Sequence, residues 1–271
     1  MDERDAIIVS AVRTPIGDFG GALRDVLHTQ LAARVLDEVC KRANFPKDDI
    51  DEVFWGMVMP RSDENGMARA AILREDQDEF ALTSQMRTKK ALAEQRFKEE
   101  IVPVVISGRN GKPDIIIDQD EHPRPQTTLE KLSKLPPAFK QGGTVTAGNA
   151  SGMNDGASAV LVVSRAMADK IGAKLRYRVA GSVAVGVDPK IMGIGPIPAV
   201  QKLLKKTGYR LEDIQLIEIN EAFAAPSVAV ERELGLNRDI CQCKRKWNRV
   251  ESPKPLIIGN RSPVLALGHF S

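Results

Sequence analysis

An amide and a carboxylate stand side by side at the end of a short apolar run. The run IQLIEI, residues 214–219, is typical of a buried strand, and Asn220 and Glu221 follow it directly. A side chain at the end of a strand is held rigidly, as a binding or catalytic group must be. Taken alone, the same pair could equally cap a following helix. The flanking residues must decide between these interpretations.

Three cysteines, Cys40, Cys241 and Cys243, are the candidate nucleophiles of the chain. They form no disulfide framework, which suits a reducing compartment. Cys40 lies on the apolar stripe of a predicted helix, so we expect it to be buried and unreactive. Cys241 and Cys243 precede the basic run 244–246, whose charges favour the thiolate and predict mild reactivity. A single Cys-x-Cys pair without a nearby histidine is a weak metal motif, and we expect no metal site.

Helices and strands alternate around these residues, which favours an α/β fold with a mostly parallel sheet. One predicted helix carries an apolar stripe made of Leu31, Val35, Val39 and Ala43. Strands are predicted at 6–15, 100–107, 113–118, 156–164 and 176–187, and helices at 30–43, 76–98 and 196–208, with a brief helix inside the Pro-rich segment 120–139.

An internal repeat joins two distant parts of the chain. Residues 35–57 and 199–221 align without a gap, and each reads as an amphipathic helix, a short acidic connection and an apolar strand. The copies lie too far apart for a solenoid, so a duplicated α/β half-domain explains them better. Chance similarity of two helix–strand units is the alternative.

The positive charge of the chain is concentrated near its end. Residues 237–271 contain seven Lys/Arg and two Asp/Glu, whereas the rest of the chain is slightly acidic. A short basic run of this kind is usually solvated, so nucleic acid is a disfavoured partner. No apolar run is long enough to cross a bilayer, and we expect no membrane partner.

Five long motifs, in order along the chain, carry a family resemblance. They are IVSAVRTPIGDFGGAL, REDQDEFALTSQ, TVTAGNASGMNDGASAV, GVDPKIMGIGPIPA and INEAFAA. Together they resemble the thiolases of the acetyl-CoA acetyltransferase type, over most of residues 5–236. The resemblance implies a layered αβαβα fold built from two duplicated halves, of which the first is incomplete here.

The resemblance implies thioester Claisen condensation and its reverse, with coenzyme A thioesters as substrate or ligand and no permanently bound cofactor. In this chemistry a cysteine thiolate takes up an acyl group, and the enolate of a second acetyl-CoA attacks it. Both steps place negative charge on a carbonyl oxygen, which needs fixed donors nearby. Asn220 matches the family residue that holds a water against the enolate oxygen and is therefore a catalytic candidate.

Five further residues match family positions that contact the CoA thioester. Phe223 and Phe139 would line the acyl end, and Ala147 and Ser151 would lie along the pantetheine arm. Arg124 matches an arginine beside the adenine. Without the resemblance, Ser151 reads as a turn residue and Arg124 as a solvated loop charge.

An internal block of the family pattern is absent where Leu73 meets Arg74. In thiolases a helix like ARAAIL leads to a strand and then to a Cys-Gly-Ser-Gly segment that carries the nucleophile, and the helix like REDQDEF lies far downstream. Here the two helices are joined directly. The missing block holds the nucleophile, later strands of the first half and the start of the loop domain, so we expect impaired catalysis.

The last residues depart from the pattern as well. The family's Gly-His-Pro segment supplies the histidine that activates the nucleophile, and LALGH at 265–269 echoes it after an insertion. His269 is therefore the candidate base, and Phe270 stands in place of the proline. Residues this near the end of a sequence are often poorly ordered, which is the alternative interpretation of His269. The family's closing Cys-x-Gly segment has no counterpart. Pro226, inside the helix expected after NEAF, predicts a kink or a delayed start.

These departures divide the chain into four segments: a partial N-terminal half at 1–74, a remnant of the loop domain at 75–142, a C-terminal half at 143–236 and an atypical basic tail at 237–271. Three hypotheses follow. The chain is an impaired acyltransferase, a non-catalytic acyl-CoA binder or partner subunit of an intact thiolase, or the product of a damaged gene. We expect a homo-oligomer or thiolase subunit in the cytoplasm, with mitochondrial and peroxisomal locations left open.

Overall fold

The computed structural model describes residues 5–53, 72–108, 112–174, 177–241, 255–258 and 264–269. Its helices and strands alternate along the chain, which confirms the predicted α/β class. The helices are α1 (His28–Ala43), α2 (Arg74–Ala93), α3 (Leu129–Ser133), α4 (Arg165–Lys170), α5 (Pro196–Thr207) and α6 (Ala224–Leu234). The strands are β1 (Ala6–Arg13), β2 (Gly17–Asp18), β3 (Val104–Ile106), β4 (Ile115–Ile117), β5 (Asn154–Asp155), β6 (Ser158–Ser164), β7 (Tyr177–Val183), β8 (Leu216–Ile219), β9 (Pro255–Ile258) and β10 (Val264–His269).

The chain divides into two compact units, each built from separate segments. The first unit takes its described residues from 1–60, 95–123 and 152–178, and the second from 61–94, 124–151 and 179–271. The division falls within β7. Among the described residues, no helix is both long and apolar enough to cross a membrane.

The sheet of the first unit is centred on β1. Strand β1 pairs antiparallel with β6 and with the first residues of β7, and a bulge interrupts the β1–β6 ladder between Ile8 and Ser10. Val35 and Val39 of α1 pack against Val12 of β1. The four residues of the predicted apolar stripe are all buried, so the stripe is confirmed as the packing face of α1.

The prediction of a mostly parallel sheet is wrong for the strands that the structure describes. Strands β6 and β7 run in the same direction with α4 between them in sequence, as the alternation of helix and strand predicts. However, β1 lies between them and is antiparallel to both. Sequence alternation predicts the direction of strands joined by a helix, but it does not reveal which earlier strand is inserted between them.

The core of the second unit lies between α5 and β8. Val200 and Leu203 of α5 are fully buried in one cluster with Ile217 of β8. Strand β8 pairs parallel with β9, and β9 pairs antiparallel with β10. Residues of the predicted basic tail therefore contribute two strands to this unit.

The two copies of the repeat share their local backbone. Helix α1 ends at Asn44 and α5 ends at Gly208, which are equivalent positions, and both residues are left-handed, with φ of 53° and 72°. A 3₁₀ turn then follows in each copy, at Lys47–Asp49 and at Leu211–Asp213. The shared cap and turn support duplication over chance. Most of the strand predicted for the first copy lies outside the described residues.

Replacing Gly208 by alanine should destabilise the fold by about 1 kcal/mol, because a side chain is strained at positive φ. No atom lies within 4 Å of the added Cβ, so the cost is conformational and not steric. The matched variant Asn44→Gly should change stability by less than about 0.5 kcal/mol. Urea unfolding of both variants measures the difference, and equal stabilities of G208A and the parent would contradict the left-handed cap.

Helix α6 starts later than the motif suggests. Its first residue is Ala224 and its N-cap is Phe223, so Pro226 stands in the first turn, where a missing N–H costs little. The predicted delay of the helix start is confirmed. Asn220 is not the cap of this helix, so the alternative reading of Asn220 as a helix cap is wrong.

Candidate functional site

Two of the quoted motifs lie against each other in the second unit. We call residues 144–151 the site loop and residues 220–223 the NEAF segment. Ser151 donates its backbone N–H and its hydroxyl to the carbonyl oxygen of Ala222, at 3.0 and 2.8 Å. The preceding residue of the site loop forms an antiparallel bridge with Phe223. The site loop is therefore fixed to the end of β8 by backbone hydrogen bonds.

The polar pair after β8 has two different environments. Asn220 is exposed, directly after the last residue of the strand. Glu221 is half-buried and accepts a hydrogen bond of 2.6 Å from the hydroxyl of Ser84 on α2. A hydrogen bond to a carboxylate is among the stronger ones in proteins. Glu221 thus ties the strand end to α2, and Asn220 beside it is exposed to solvent.

Two aromatic rings meet beside the NEAF segment. The rings of Phe139 and Phe223 pack edge to face, with centroids 6.1 Å apart and an interplanar angle of 76°. Phe139 is 48% exposed, so the pair leaves apolar surface open to solvent. An edge-to-face pair contributes about 1 kcal/mol of stability beyond the burial of its surface. The two rings are therefore expected to keep this arrangement.

The other two predicted contact residues are both exposed in this unit. Ala147 lies in the middle of the site loop. The backbone N–H of Arg124 donates to Oε1 of Gln85 on α2 at 2.8 Å, and its carbonyl oxygen accepts from the hydroxyl of Thr127 at 2.7 Å. The backbone at Arg124 is therefore fixed, although its side chain lies at the surface.

Helix α2 also holds the site loop through buried polar side chains that the sequence analysis missed. Asp78 is 2% exposed, accepts a hydrogen bond from Nδ2 of Asn149 at 2.9 Å and pairs with Nε of Arg74 at 2.7 Å. Gln77 is 1% exposed and donates from Nε2 to the hydroxyl of Thr144 at 2.9 Å. The only sequence signal was a Gln-Asp pair inside a quoted motif.

Three charged side chains influence the pKa of Glu231 in α6, and one of them, Glu221, belongs to the NEAF segment. Burial raises the pKa of Glu231 in α6, and the nearby Glu221 adds to this effect. Arg238, whose Nε lies 3.6 Å from the Glu231 carboxylate, opposes the rise in pKa, as does Arg87. Any change of the Glu221 charge would therefore also alter the titration of Glu231.

The described thiols are buried. Cys40 is 3% exposed as expected, and burial raises the pKa of its thiol. Cys241 is fully buried because its segment pairs with Ile217 of β8, so the predicted reactivity of Cys241 is wrong. Cys243 lies outside the described residues. His269 ends β10, and the prediction about its side chain lies outside the described part of the structure.

A metal centre finds no support in the described part of the chain. Within those ranges, no group of three or more His, Cys, Asp or Glu side chains could hold a metal ion.

Comparison with protein families and curated relatives gives matches across the chain. The model of the thiolase N-terminal domain matches residues 6–74 and 62–166, and that of the thiolase C-terminal domain matches 173–250. An acetyl-CoA acetyltransferase of Syntrophomonas wolfei is 37% identical over 334 aligned residues, which cover 86% of this chain and 84% of the relative.

Two further relatives match over a shorter part of their own length. An acetyl-CoA acetyltransferase of Shinella zoogloeoides is 42% identical over 82% of this chain and 52% of its own. A beta-ketoadipyl-CoA thiolase of Acinetobacter baylyi is 51% identical over 73% of this chain and 49% of its own. The chain thus spans about half the length of these two relatives.

Solved structures show the same likeness. The acetyl-CoA acetyltransferase of Bacillus anthracis superposes with a TM-score of 0.81 and 29% identity, covering 98% of both chains. Human mitochondrial 3-ketoacyl-CoA thiolase in complex with CoA superposes with a TM-score of 0.83 and 25% identity, covering 99% of both chains. The fold expected from the motifs is confirmed by these neighbours.

Proposed function

Because the chain belongs to the thiolase family, we propose that it binds acyl-CoA thioesters but cannot form the acyl-enzyme that turnover requires. The observation that carries the binding half of this proposal is the double hydrogen bond from Ser151 to Ala222. It joins the site loop to the NEAF segment, so groups from distant parts of the sequence share one surface of the second unit.

The proposed contacts follow the extended shape of a CoA thioester. Ala147 and Ser151 contact the pantetheine arm, and the edge-to-face rings of Phe139 and Phe223 contact the acyl end. Arg124 contacts the adenine end. In this arrangement Asn220 lies at the thioester, where its side chain would hold a water against the carbonyl oxygen. The structural neighbour in complex with CoA supports CoA as the ligand class.

The proposed lack of turnover is argued from the positions of the cysteine thiols. An acyl-enzyme needs an accessible thiolate, and both described cysteines, Cys40 and Cys241, are almost fully buried. The alignment with the Syntrophomonas wolfei relative has 334 positions, more than the 271 residues of this chain, so that relative carries residues that the chain lacks. We infer that these residues include the nucleophile segment, which the family pattern would place at the junction of Leu73 and Arg74.

Calorimetric titration with CoA and with acetyl-CoA tests the binding proposal. We expect saturable heat with both ligands and at least about tenfold weaker binding for Ala147→Glu, because a carboxylate would stand where the pantetheine arm lies. The matched control is Gln141→Glu, which adds the same charge at another exposed position of the second unit. This control should bind within about threefold of the parent.

The outcomes separate the binding site from general effects of charge. Absence of heat with the parent protein at millimolar CoA would contradict the proposal outright. Equal weakening by both variants would show that charge, and not contact with the site loop, determines affinity.

A further inference from the structure

One face of α2 carries polar side chains although it packs inside the second unit. We call Gln77, Asp78, Ser84 and Gln85 the polar face of α2. Residues 77, 84 and 85 recur at the spacing of one helix face, and Asp78 is adjacent to Gln77. Gln77 and Asp78 are almost fully buried. Buried polar groups destabilise a fold unless they are hydrogen-bonded, so their partners show what this face does.

The partners belong to three separate segments around the candidate site. Ser84 donates to Glu221 of the NEAF segment, and Gln85 accepts from the backbone N–H of Arg124. Asp78 accepts from Asn149 of the site loop. The segments that carry four of the five predicted CoA contacts, Arg124, Ala147, Ser151 and Phe223, therefore meet on the polar face of α2.

Asn149 is the member that carries the most connections. It is 4% exposed, and its Oδ1 accepts from the backbone N–H of Thr146 at 2.8 Å. Its carbonyl oxygen accepts from the N–H of Ala224 at 2.9 Å, the first residue of α6. Asn149 thus joins the turn of the site loop to the start of α6, and its Nδ2 donates both to Asp78 and to the carbonyl oxygen of Thr144, at 2.9 and 3.1 Å.

Asp78 is itself fixed from the opposite side. Its second oxygen pairs with Nε of Arg74, and Nη2 of Arg74 donates to the carbonyl oxygens of Leu132 and Leu135 at 2.7 and 3.1 Å. The site loop also packs closely against the side chains of these two leucines. A Cβ atom added at Gly148 would lie only 2.5 and 2.6 Å from them, so there is no room for a larger residue at this position. Asp78 therefore connects the site loop to Arg74 and, through Arg74, to the segment that contains Leu132 and Leu135.

We propose that Asp78 is a positioning residue that acts through Asn149 to hold the site loop in the conformation that CoA binds. This inference rests on the proposed function, since it assigns a second residue set to the same site. Asp78 itself touches no ligand. Its effect on affinity arises because an unanchored loop must be ordered when CoA binds, which lowers the observed affinity.

A reversal of the hydrogen bond tests the proposal. Asn149→Asp places two carboxylates against each other, which repels the site loop from α2. The double variant D78N/N149D restores a single amide–carboxylate hydrogen bond with its direction reversed. The matched control Glu79→Ala removes an exposed carboxylate from the next position of the same helix. For each protein, CoA is titrated by calorimetry, and amide hydrogen exchange is followed in peptides from 144–151 and 28–43.

We expect N149D to weaken CoA binding about tenfold or more and to speed exchange in 144–151, with exchange in α1 unchanged. The double variant should recover most of both losses, but not all, because its aspartate at 149 cannot donate to the carbonyl oxygen of Thr144. E79A should stay within about threefold of the parent. Affinity and exchange of N149D equal to those of the parent would overturn the proposal. A double variant as impaired as N149D would overturn it too, because Asn149 would then act without Asp78.

The two measurements separate this inference from the proposed function. If the parent binds no CoA, the proposed function fails, while faster loop exchange in N149D and its reversal in the double variant still support anchoring by Asp78. If N149D does not fold, a folded double variant that binds CoA supports the pairing, and a double variant that does not fold overturns it.

Discussion

Purified protein should thiolyse acetoacetyl-CoA at least about 10⁴-fold more slowly than the acetyl-CoA acetyltransferase of Syntrophomonas wolfei under the same conditions. The expected loss is large because covalent catalysis cannot begin without an accessible thiolate, and binding groups alone leave only residual catalysis. Cys40 lies in the packing face of α1 and Cys241 against β8. Neither sulfur can reach a thioester without local unfolding. The measurement is the conversion of acetoacetyl-CoA and free CoA into two molecules of acetyl-CoA, followed by mass spectrometry.

The variant Cys243→Ser serves as the control for the one thiol outside the described residues. The residual rate of C243S should equal that of the parent. The prediction would be contradicted by turnover within tenfold of the intact relative, or by a labelled acetyl group recovered on Cys243. A labelled acetyl group on Cys243 would mean that this cysteine serves as the nucleophile of the chain.

Truncation of Leu203 should cost the second unit about 2–5 kcal/mol of unfolding free energy. Leu203 is fully buried in the cluster between α5 and β8, where it packs with Val200 and Ile217. Alanine at this position removes the burial of a leucine side chain and leaves a cavity that rigid neighbours fill only in part. The free energy of unfolding of an ordinary domain is about 5–15 kcal/mol, so the variant is expected to lose a large share of its stability.

The adjacent Leu204 provides the matched control, because it is only partly buried on the same helix. Leu204→Ala should cost about 1 kcal/mol, since a half-exposed side chain loses less burial and leaves no closed cavity. Equilibrium urea unfolding of both variants gives the comparison. Equal losses for the two leucines would contradict the packing of α5 on β8.

The packing of the repeated helices could be predicted from the sequence because apolar periodicity alone determines it. The stripe of α1 and the buried residues of α5 follow directly from a period near 3.6. The role of α2 could not be found in this way. Asp78 and Gln77 look like solvent-facing residues in a polar helix, and only the position of Asn149 and Thr144 in space reveals that they are buried and paired.

The reactivity of Cys241 could not be predicted from the sequence either. The basic run after Cys241 indicated a favoured thiolate, which is a sound rule for exposed thiols. Pairing of this segment with Ile217 buries the sulfur completely, and that long-range contact leaves no local signal. The family resemblance named Phe139, Ser151 and Phe223 without any spatial information. In the structure Phe139 packs against Phe223, and Ser151 bonds to the residue before Phe223, while their role in CoA binding stays a prediction.

The polar face of α2 has a kinetic consequence. Its hydrogen bonds join residues that are far apart in the chain, with sequence separations of 39 to Arg124, 71 to Asn149 and 137 to Glu221. Contacts of such high order form late, since the entropy of closing long loops is lost before they are made. The candidate site should therefore be among the last parts to form during refolding, and a nascent chain that ends before β8 would not yet contain it.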